Sequence, residues 1–114
     1  MIAVIFEVEP QPHVRDAYLA TAARLRIELE AMDGFLSIER YASLADPDRI
    51  LSLSFWRDEE AVARWRTTPS HRAAQAEGRG GMFAAYRLRV AHVLRDYGLH
   101  ERAAVPADLA SRQL

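Results

Sequence analysis

One short stretch in the middle of the chain gathers the side chains best suited to acid–base chemistry. His71 has an unperturbed pKa near neutrality, so its imidazole can take up or release a proton at physiological pH. Arg72 follows it directly, and Gln75 lies one helical turn further on, on the same helix face as His71. Trp56 and Trp65 precede them. The pattern predicts a base, an anion-binding group and aromatic walls in one place.

Simpler roles are open to each of these residues. His71, near a helix start, can be exposed to solvent, and Arg72 can face water. The two tryptophans can be packing residues that line a pocket incidentally. His92, on an apolar strand face, is typical of a core or interface histidine. We interpret Glu39 and Arg40 on the second strand as surface or interface charges.

The composition argues against several kinds of site. The chain has no cysteine, which excludes disulfides, thiolate nucleophiles and cysteine-based metal sites. His13, His71, His92 and His100 are scattered without metal-ligand spacing, so we expect no metal site. The glycines fit no phosphate-binding loop. A formal net charge of -1, without a block of Lys or Arg, argues against nucleic acid as a partner.

Length and hydropathy predict one globular domain. With 114 residues there is room for a single core, and 27% charged residues is a typical globular balance. The first apolar run is too short for a signal sequence, and no run approaches the length of a membrane span. We therefore expect a cytoplasmic protein with no membrane partner.

Hydrophobic periodicity defines the elements that must position the candidate residues. In chain order it predicts a strand at Ile2–Val8, a helix at His13–Met32, strands at Phe35–Ser43 and Arg49–Arg57, two helical pieces up to about Glu77, and a strand at Tyr86–Tyr97. Asp58 and Thr68 are suitable N-caps, and Pro69 suits a first helical position. We expect residues 78–81 to form a flexible break, and residues 82–85 a helical turn or a lead-in to the last strand.

This order of elements is that of the ferredoxin-like split βαβ arrangement, an α+β fold with a four-stranded antiparallel sheet. Two helices cover only one face of such a sheet, yet the first and third strands are apolar on both faces. A monomer rarely exposes an apolar patch of that size, so we expect a homodimer packed sheet to sheet. The sequence alone does not show which sheet face meets the partner.

A family resemblance supports this fold. The run LSLSFWRDEEAVARWRTTPSHRAAQ, which follows GFLSIERY and precedes YRLRVAHVLRDYG, resembles the antibiotic biosynthesis monooxygenase domain of the dimeric α+β barrel superfamily. The resemblance covers about residues 1–97. It leaves residues 98–114 as a C-terminal tail, which we expect to dock on its own domain or on the partner subunit. The family includes cofactor-independent oxygenases of aromatic polyketides and haem-degrading oxygenases.

The haem-degrading branch of the family matches this sequence only in part. Trp56 corresponds to the strand-end tryptophan that presses on the porphyrin. Gln75 stands where that branch has the iron-ligating histidine, and an amide oxygen is a poor haem ligand. Phe6 or Glu7 replaces an assisting asparagine, and His71 lies one turn too early. The resemblance therefore disfavours haem as a cofactor.

The cofactor-independent branch implies a monooxygenase that oxidises a small aromatic or polyketide-type phenol or quinone with molecular oxygen. The substrate loses a proton and becomes a carbanion that reduces oxygen directly, in a dry aromatic slot. We assign His71 as the base, with Arg72 or Tyr86 stabilising the anion. The residues expected to bind the substrate are Trp56, Trp65, Gln75 and Phe83. A non-catalytic dimeric ligand-binding or stress-response domain is the further alternative.

Overall fold

The computed structural model describes residues 1–109, except for the side chain of Arg79. The regular elements are β1 (Ile2–Pro10), α1 (Arg15–Glu30), β2 (Phe35–Ala42), β3 (Ile50–Trp56), α2 (Glu59–Arg66), α3 (Pro69–Glu77) and β4 (Phe83–His92). Single-turn 3-10 helices lie at Pro12–Val14 and Ala107–Leu109, and a π-helical turn at Gly78–Met82 joins α3 to β4.

The four strands form one antiparallel sheet in the order β2-β3-β1-β4. The central strand β1 pairs with β3 on one side and with β4 on the other. Ile2, for example, lies between Trp56 and His92. This order confirms the predicted ferredoxin-like α+β fold and the hairpin of the second and third strands.

The helices cover one face of the sheet, and the burial pattern of β3 shows which one. Ile50, Ser52, Ser54 and Trp56 are buried, whereas the alternating residues Leu51, Leu53 and Phe55 are only half-buried. The two predicted strand faces are therefore present. We call the helix-covered face, which carries Trp56, the inner face, and the opposite face, which carries Leu53, the outer face.

The core of the inner face forms around two buried clusters. One contains Trp56 and Trp65, with Ile2, Leu29, Ile38 and Ala61. The other contains Val8, Tyr18 and Ile50, with Phe6 and Phe83 packed against it. The clusters lie at opposite ends of the sheet, which leaves room between them.

The fourth strand differs from the predicted range Tyr86–Tyr97 at both ends. It begins earlier, at Phe83, because Gly81 turns the chain with φ 117° and Phe83 then pairs with Pro10 of β1. It ends earlier because its last residue, His92, pairs with Ile2, the first residue of β1. Residues 83–85 thus belong to β4 itself rather than to a helical turn, and the predicted break at residues 78–81 lies in a π-helical turn.

The first helix is also shorter than predicted, since it ends at Glu30 rather than at Met32. Its buried residues Tyr18 and Leu29 lie on the predicted apolar stripe. Gly34, with φ 85°, lies beyond the helix end and directs the chain into β2. A side chain there would also meet the Cβ atom of Ala61 at 2.5 Å.

Both predicted caps of the later helices are confirmed. The Asp58 carboxylate accepts a hydrogen bond of 2.9 Å from the backbone N–H of Ala61, and the Thr68 hydroxyl accepts one of 3.2 Å from that of His71. Arg57 binds both carboxylate oxygens of Asp33, at 3.1 and 3.0 Å, and its guanidinium lowers the pKa of that carboxyl. This pair ties the loop after α1 to the end of β3.

The tail is described only in part, because residues 110–114 lie outside the described residues. Val93 still pairs with the first residue, its N–H donating to the carbonyl of Met1 at 3.0 Å. Further along the tail, the N–H of Leu109 donates to the carbonyl of Pro106 at 2.9 Å. No helix within residues 1–109 is long and apolar enough to cross a membrane.

Candidate active site

A cavity of about 320 Å³ lies between the inner face of the sheet and the helices. All four strands and all three α-helices contribute to its walls. Its sheet side carries Val4, Phe6, Ile38, Arg40, Ser52, Ser54, Trp56, Leu88 and Val90. Its helix side carries Tyr18, Leu25, Leu29, Val62, Trp65, His71, Ala74 and Gln75, among others. A cavity of this size suits a small organic molecule.

The sheet side of the cavity is polar at one end and apolar at the other. Two rows of paired residues run across it from β2 to β4: Arg40, Ser52, Phe6 and Leu88 in one, and Ile38, Ser54, Val4 and Val90 in the other. Leu88 and Val90 are 52% and 50% exposed, because the helices do not cover β4. The cavity is therefore open on the β4 side.

His71 reaches the cavity from the first turn of α3. Thr68 caps this helix and Pro69 is its first residue, so the local sequence fixes where the histidine lies. The imidazole is half-buried, and its ring centre is 5.3 Å from that of Trp65. His71 is thus held against an aromatic wall rather than projecting freely into solvent.

The environment of His71 favours its neutral form. Burial lowers the pKa of the imidazole below its usual value of 6.5, and a hydrogen bond with the carbonyl of Arg66 offsets this only in part. The Nδ1 atom lies 3.4 Å from that carbonyl oxygen. A carbonyl can only accept, so the neutral ring that makes this contact has its proton on Nδ1 and a lone pair on Nε2. His71 is therefore available as a base.

Aromatic side chains form two further walls. Trp56 is only 1% exposed, and its indole N–H donates to the Ser54 hydroxyl at 3.0 Å. Phe83 lies at the other end, with its ring centre 5.8 Å from that of Phe6 and 6.1 Å from that of Tyr86. These rings give the cavity aromatic walls away from its open β4 side, and electrostatic interactions are stronger beside such apolar surfaces than in water.

Six of the seven predicted site residues line this cavity: His71, Tyr86, Trp56, Trp65, Gln75 and Phe83. Arg72, the predicted anion-binding cation, is exposed and is not among the lining residues. The reason is helical geometry, because the residue after His71 is turned about 100° away from it around the helix axis. The structure thus brings together the base and the aromatic slot but not Arg72.

Arg40 is the cation that our interpretation of the sequence misplaced as a surface or interface charge. It lies on the inner face, is half-buried and lines the cavity. Ser52, its cross-strand partner, is also on the wall and was not predicted as a site residue. Successive side chains of β2 alternate between the two faces of the sheet. This alternation could have identified Arg40 as a cavity residue only if the face covered by the helices had been known.

The donor set of the haem-degrading branch is not reproduced at the matching positions. Gln75 and Phe6 both line the cavity, in place of the iron-ligating histidine and the assisting asparagine. No group of three potential metal-ligating side chains occurs among the residues that the structure describes. Gln75, at the position that the resemblance matches to the iron ligand, is a poor fit to haem because an amide oxygen is a weak ligand for its iron.

This fold and site define a class: a small α+β domain with an aromatic-lined cavity and a half-buried histidine whose pKa is lowered. Residues 1–77 match the family model for antibiotic biosynthesis monooxygenase. The chain is also 55% identical, over 93 residues, to a protein named jasmonate monooxygenase ABM from Pyricularia oryzae. The chain belongs to the antibiotic biosynthesis monooxygenase family. The match covers 82% of this chain but only 43% of the Pyricularia protein, so the chain spans less than half of that relative.

Solved structures agree on the fold. Rv0793 from Mycobacterium tuberculosis matches with a TM-score of 0.75 at 22% sequence identity, covering 83% of this chain and 96% of that one. A crystal structure titled antibiotic biosynthesis monooxygenase matches with a TM-score of 0.71 at 15% identity, covering 82% of this chain and 98% of that one. At these identities the likeness concerns architecture alone.

Proposed function

We propose that this chain is a cofactor-independent monooxygenase that oxidises a small, largely apolar substrate, of phenol or hydroquinone type, with molecular oxygen. The observation that carries the proposal is the half-buried His71 on the wall of an aromatic cavity, where burial lowers its pKa and its Nδ1 lies 3.4 Å from the Arg66 carbonyl oxygen. The name of the Pyricularia relative, a jasmonate monooxygenase, supports a small organic acid or ketone as a further substrate class.

The reaction starts with removal of a proton from an activated C–H or O–H group of the substrate by His71 Nε2. The resulting carbanion transfers an electron to oxygen, and the two radicals combine into a peroxide. The peroxide takes the proton from His71 and then loses water, which leaves a carbonyl. In the net change, a methylene group and molecular oxygen give a carbonyl group and water, so the reaction needs no external reductant.

The other cavity residues have defined parts in this scheme. Tyr86 and Gln75 can donate hydrogen bonds to the anion, since both line the cavity. Trp56, Trp65 and Phe83 hold the substrate ring and exclude water from the carbanion.

Oxygen consumption with a panel of polyphenols and cyclic ketones tests the proposal. A general base contributes typically ~10²–10⁴-fold, so we expect His71→Ala to reduce kcat by about that factor with the fold intact by circular dichroism. An unchanged kcat would refute the role of His71. No oxygen consumption with any substrate would favour a non-catalytic ligand-binding domain, and a Soret band on haem addition, with turnover only then, would favour haem.

We also propose a homodimer through the outer face. The helices leave this face uncovered, and its centre carries Ile5, Leu51, Leu53 and Phe55. Glu7 and Arg89 flank it and form an ion pair at 3.1 Å. An apolar centre with a charged edge is typical of a protein interface. Packing of two such faces would give the barrel expected from the family resemblance.

A further inference from the structure

We propose that Arg40 and Ser52 form an anion subsite, which binds the carboxylate of a substrate whose remaining part is apolar. This inference rests on the proposed function, because it assigns a substrate class to the same cavity. It assigns the polar end of the cavity, which the proton-transfer scheme around His71 does not use.

Arg40 is a half-buried cation on the cavity wall. Within residues 1–109 its Nε atom is buried and finds no hydrogen-bond partner, and we find no ion pair between its guanidinium and any carboxylate. A buried N–H donor without a partner is unfavourable, and an anion that accepts from it would offset that cost. Arginine presents a planar pair of N–H donors that matches a carboxylate in a bidentate arrangement.

Ser52 supplies a further donor beside it. The two residues are directly paired across β2 and β3, so their Cβ atoms lie roughly 4.5–5.5 Å apart. Ser52 is only 8% exposed, and within the described residues its hydroxyl makes no hydrogen bond that we find. A carboxylate placed between the two side chains would accept from both.

The nearby acidic groups do not occupy this position. Glu77 also lines the cavity, but it is exposed and forms no ion pair with Arg40 among the described residues. Glu39 is paired with Leu53 and therefore lies on the outer face. The charge of Arg40 is thus available to a ligand that enters the cavity.

The ligand that fits beside Arg40 is also shaped by the apolar end of the row of paired residues that begins at Arg40 and Ser52. From Arg40 the row continues through Phe6 to Leu88 on the open β4 side. Three strand spacings of ~4.8 Å give a length of about 14 Å. A ligand with a carboxylate at one end and an apolar ring or short chain at the other matches this gradient.

Isothermal titration of the full chain with cyclohexaneacetate and with its neutral analogue cyclohexaneacetamide tests the subsite without turnover. We expect the wild-type protein to bind the carboxylate at least tenfold more tightly than the amide. Arg40→Gln should reduce this preference to about onefold while amide binding remains. Ser52→Ala should reduce it partly. Arg49→Gln, which removes an exposed arginine on the same hairpin, should leave it unchanged.

Equal affinity of the wild-type protein for the two compounds, including no measurable binding of either, would overturn the proposal. So would loss of the preference in Arg66→Gln but not in Arg40→Gln, because Arg66 is the exposed cation at the cavity wall. If Arg40→Gln does not fold, Arg40→Lys keeps the charge, and a preference equal to the wild type would then count against bidentate binding. A carboxylate preference in a protein that consumes no oxygen would refute the monooxygenase proposal and leave the anion subsite in place.

Discussion

The hydrogen bond between Trp56 and Ser54 offers a sharp test of how the site is built. It joins a 1% exposed indole to a 6% exposed serine, at 3.0 Å, on the cavity wall. In Ser54→Ala the indole N–H loses its partner while it remains buried. An unsatisfied buried donor costs about 1–3 kcal/mol of folding free energy, whereas removal of both partners is nearly neutral.

A double-mutant cycle converts this into a measurable coupling. We expect Ser54→Ala to cost about 1–3 kcal/mol in the wild-type background but under ~0.5 kcal/mol in Trp56→Phe, where no indole N–H remains. Urea unfolding at one fixed protein concentration measures both values. Ser70→Ala is the matched control, because it removes a 2.9 Å hydrogen bond to Glu28 at an exposed position that water can satisfy.

The difference between the costs of Ser54→Ala in the two backgrounds, rather than its cost in the wild type alone, shows whether the hydrogen bond stabilises the fold. Equal costs of Ser54→Ala in the two backgrounds would show that the hydrogen bond from the Trp56 indole to Ser54 does not stabilise the fold. A Ser70→Ala cost as large as that of Ser54→Ala would show that burial does not set the difference.

Three further predictions concern the turn before β2, the base and the assembly. Gly34→Ala should destabilise the fold by at least ~1–2 kcal/mol, since φ is 85° and the new Cβ meets Ala61, whereas Gly80→Ala, with open space around it, should have little effect in the same urea assay. Because burial lowers the pKa of His71 below 6.5, the ring is largely neutral at pH 6.5, and the acidic limb of kcat/KM should lie below 6.5. As pH falls, the unfolded chain protonates this residue before the folded chain does, so folding stability should decline as pH falls below 6.5; a limb above 6.5 would contradict the lowered pKa. Leu53→Arg should abolish the dimer or block folding, as measured by light scattering. Ile27→Arg should do neither, because Ile27 is 75% exposed on the outside of α1. A wild-type protein that is monomeric at micromolar concentration would refute the dimer.

The candidate site could be predicted from the sequence wherever local signals fixed the position of a residue. Trp56 ends a strand, Asp58 caps the helix that carries Trp65, and Thr68 caps the one that carries His71. These are short-range interactions, so the pattern of residue types is sufficient. The same reasoning gave the wrong place for Arg72, because the phase of α3 relative to the sheet depends on packing and not on the helix itself.

The features that could not be predicted from the sequence depend on pairing between residues that are distant in the chain. The end of β4 depends on where its partner β1 begins, and no residue near His92 signals that limit. Which face of the sheet is the inner face depends on the side that the helices cover. The sequence does not show that side, because the strands are apolar on both faces. The identity of the cation at the polar end of the cavity follows from the same kind of information.

A register shift in β2 determines the sign of the charge at the polar end of the cavity. Phe35 pairs with Trp56, but the register shifts before Ser37, which pairs with Phe55. If the register of Phe35 and Trp56 continued along β2 without the shift, Glu39 would pair with Ser52, and the cavity would hold a carboxylate in place of a guanidinium. Because a shift of one residue exchanges the two faces of a strand, the bulge brings Arg40 to the inner face and leaves Glu39 outside. The proposed preference for an anion in this cavity thus depends on backbone register as much as on the choice of side chain.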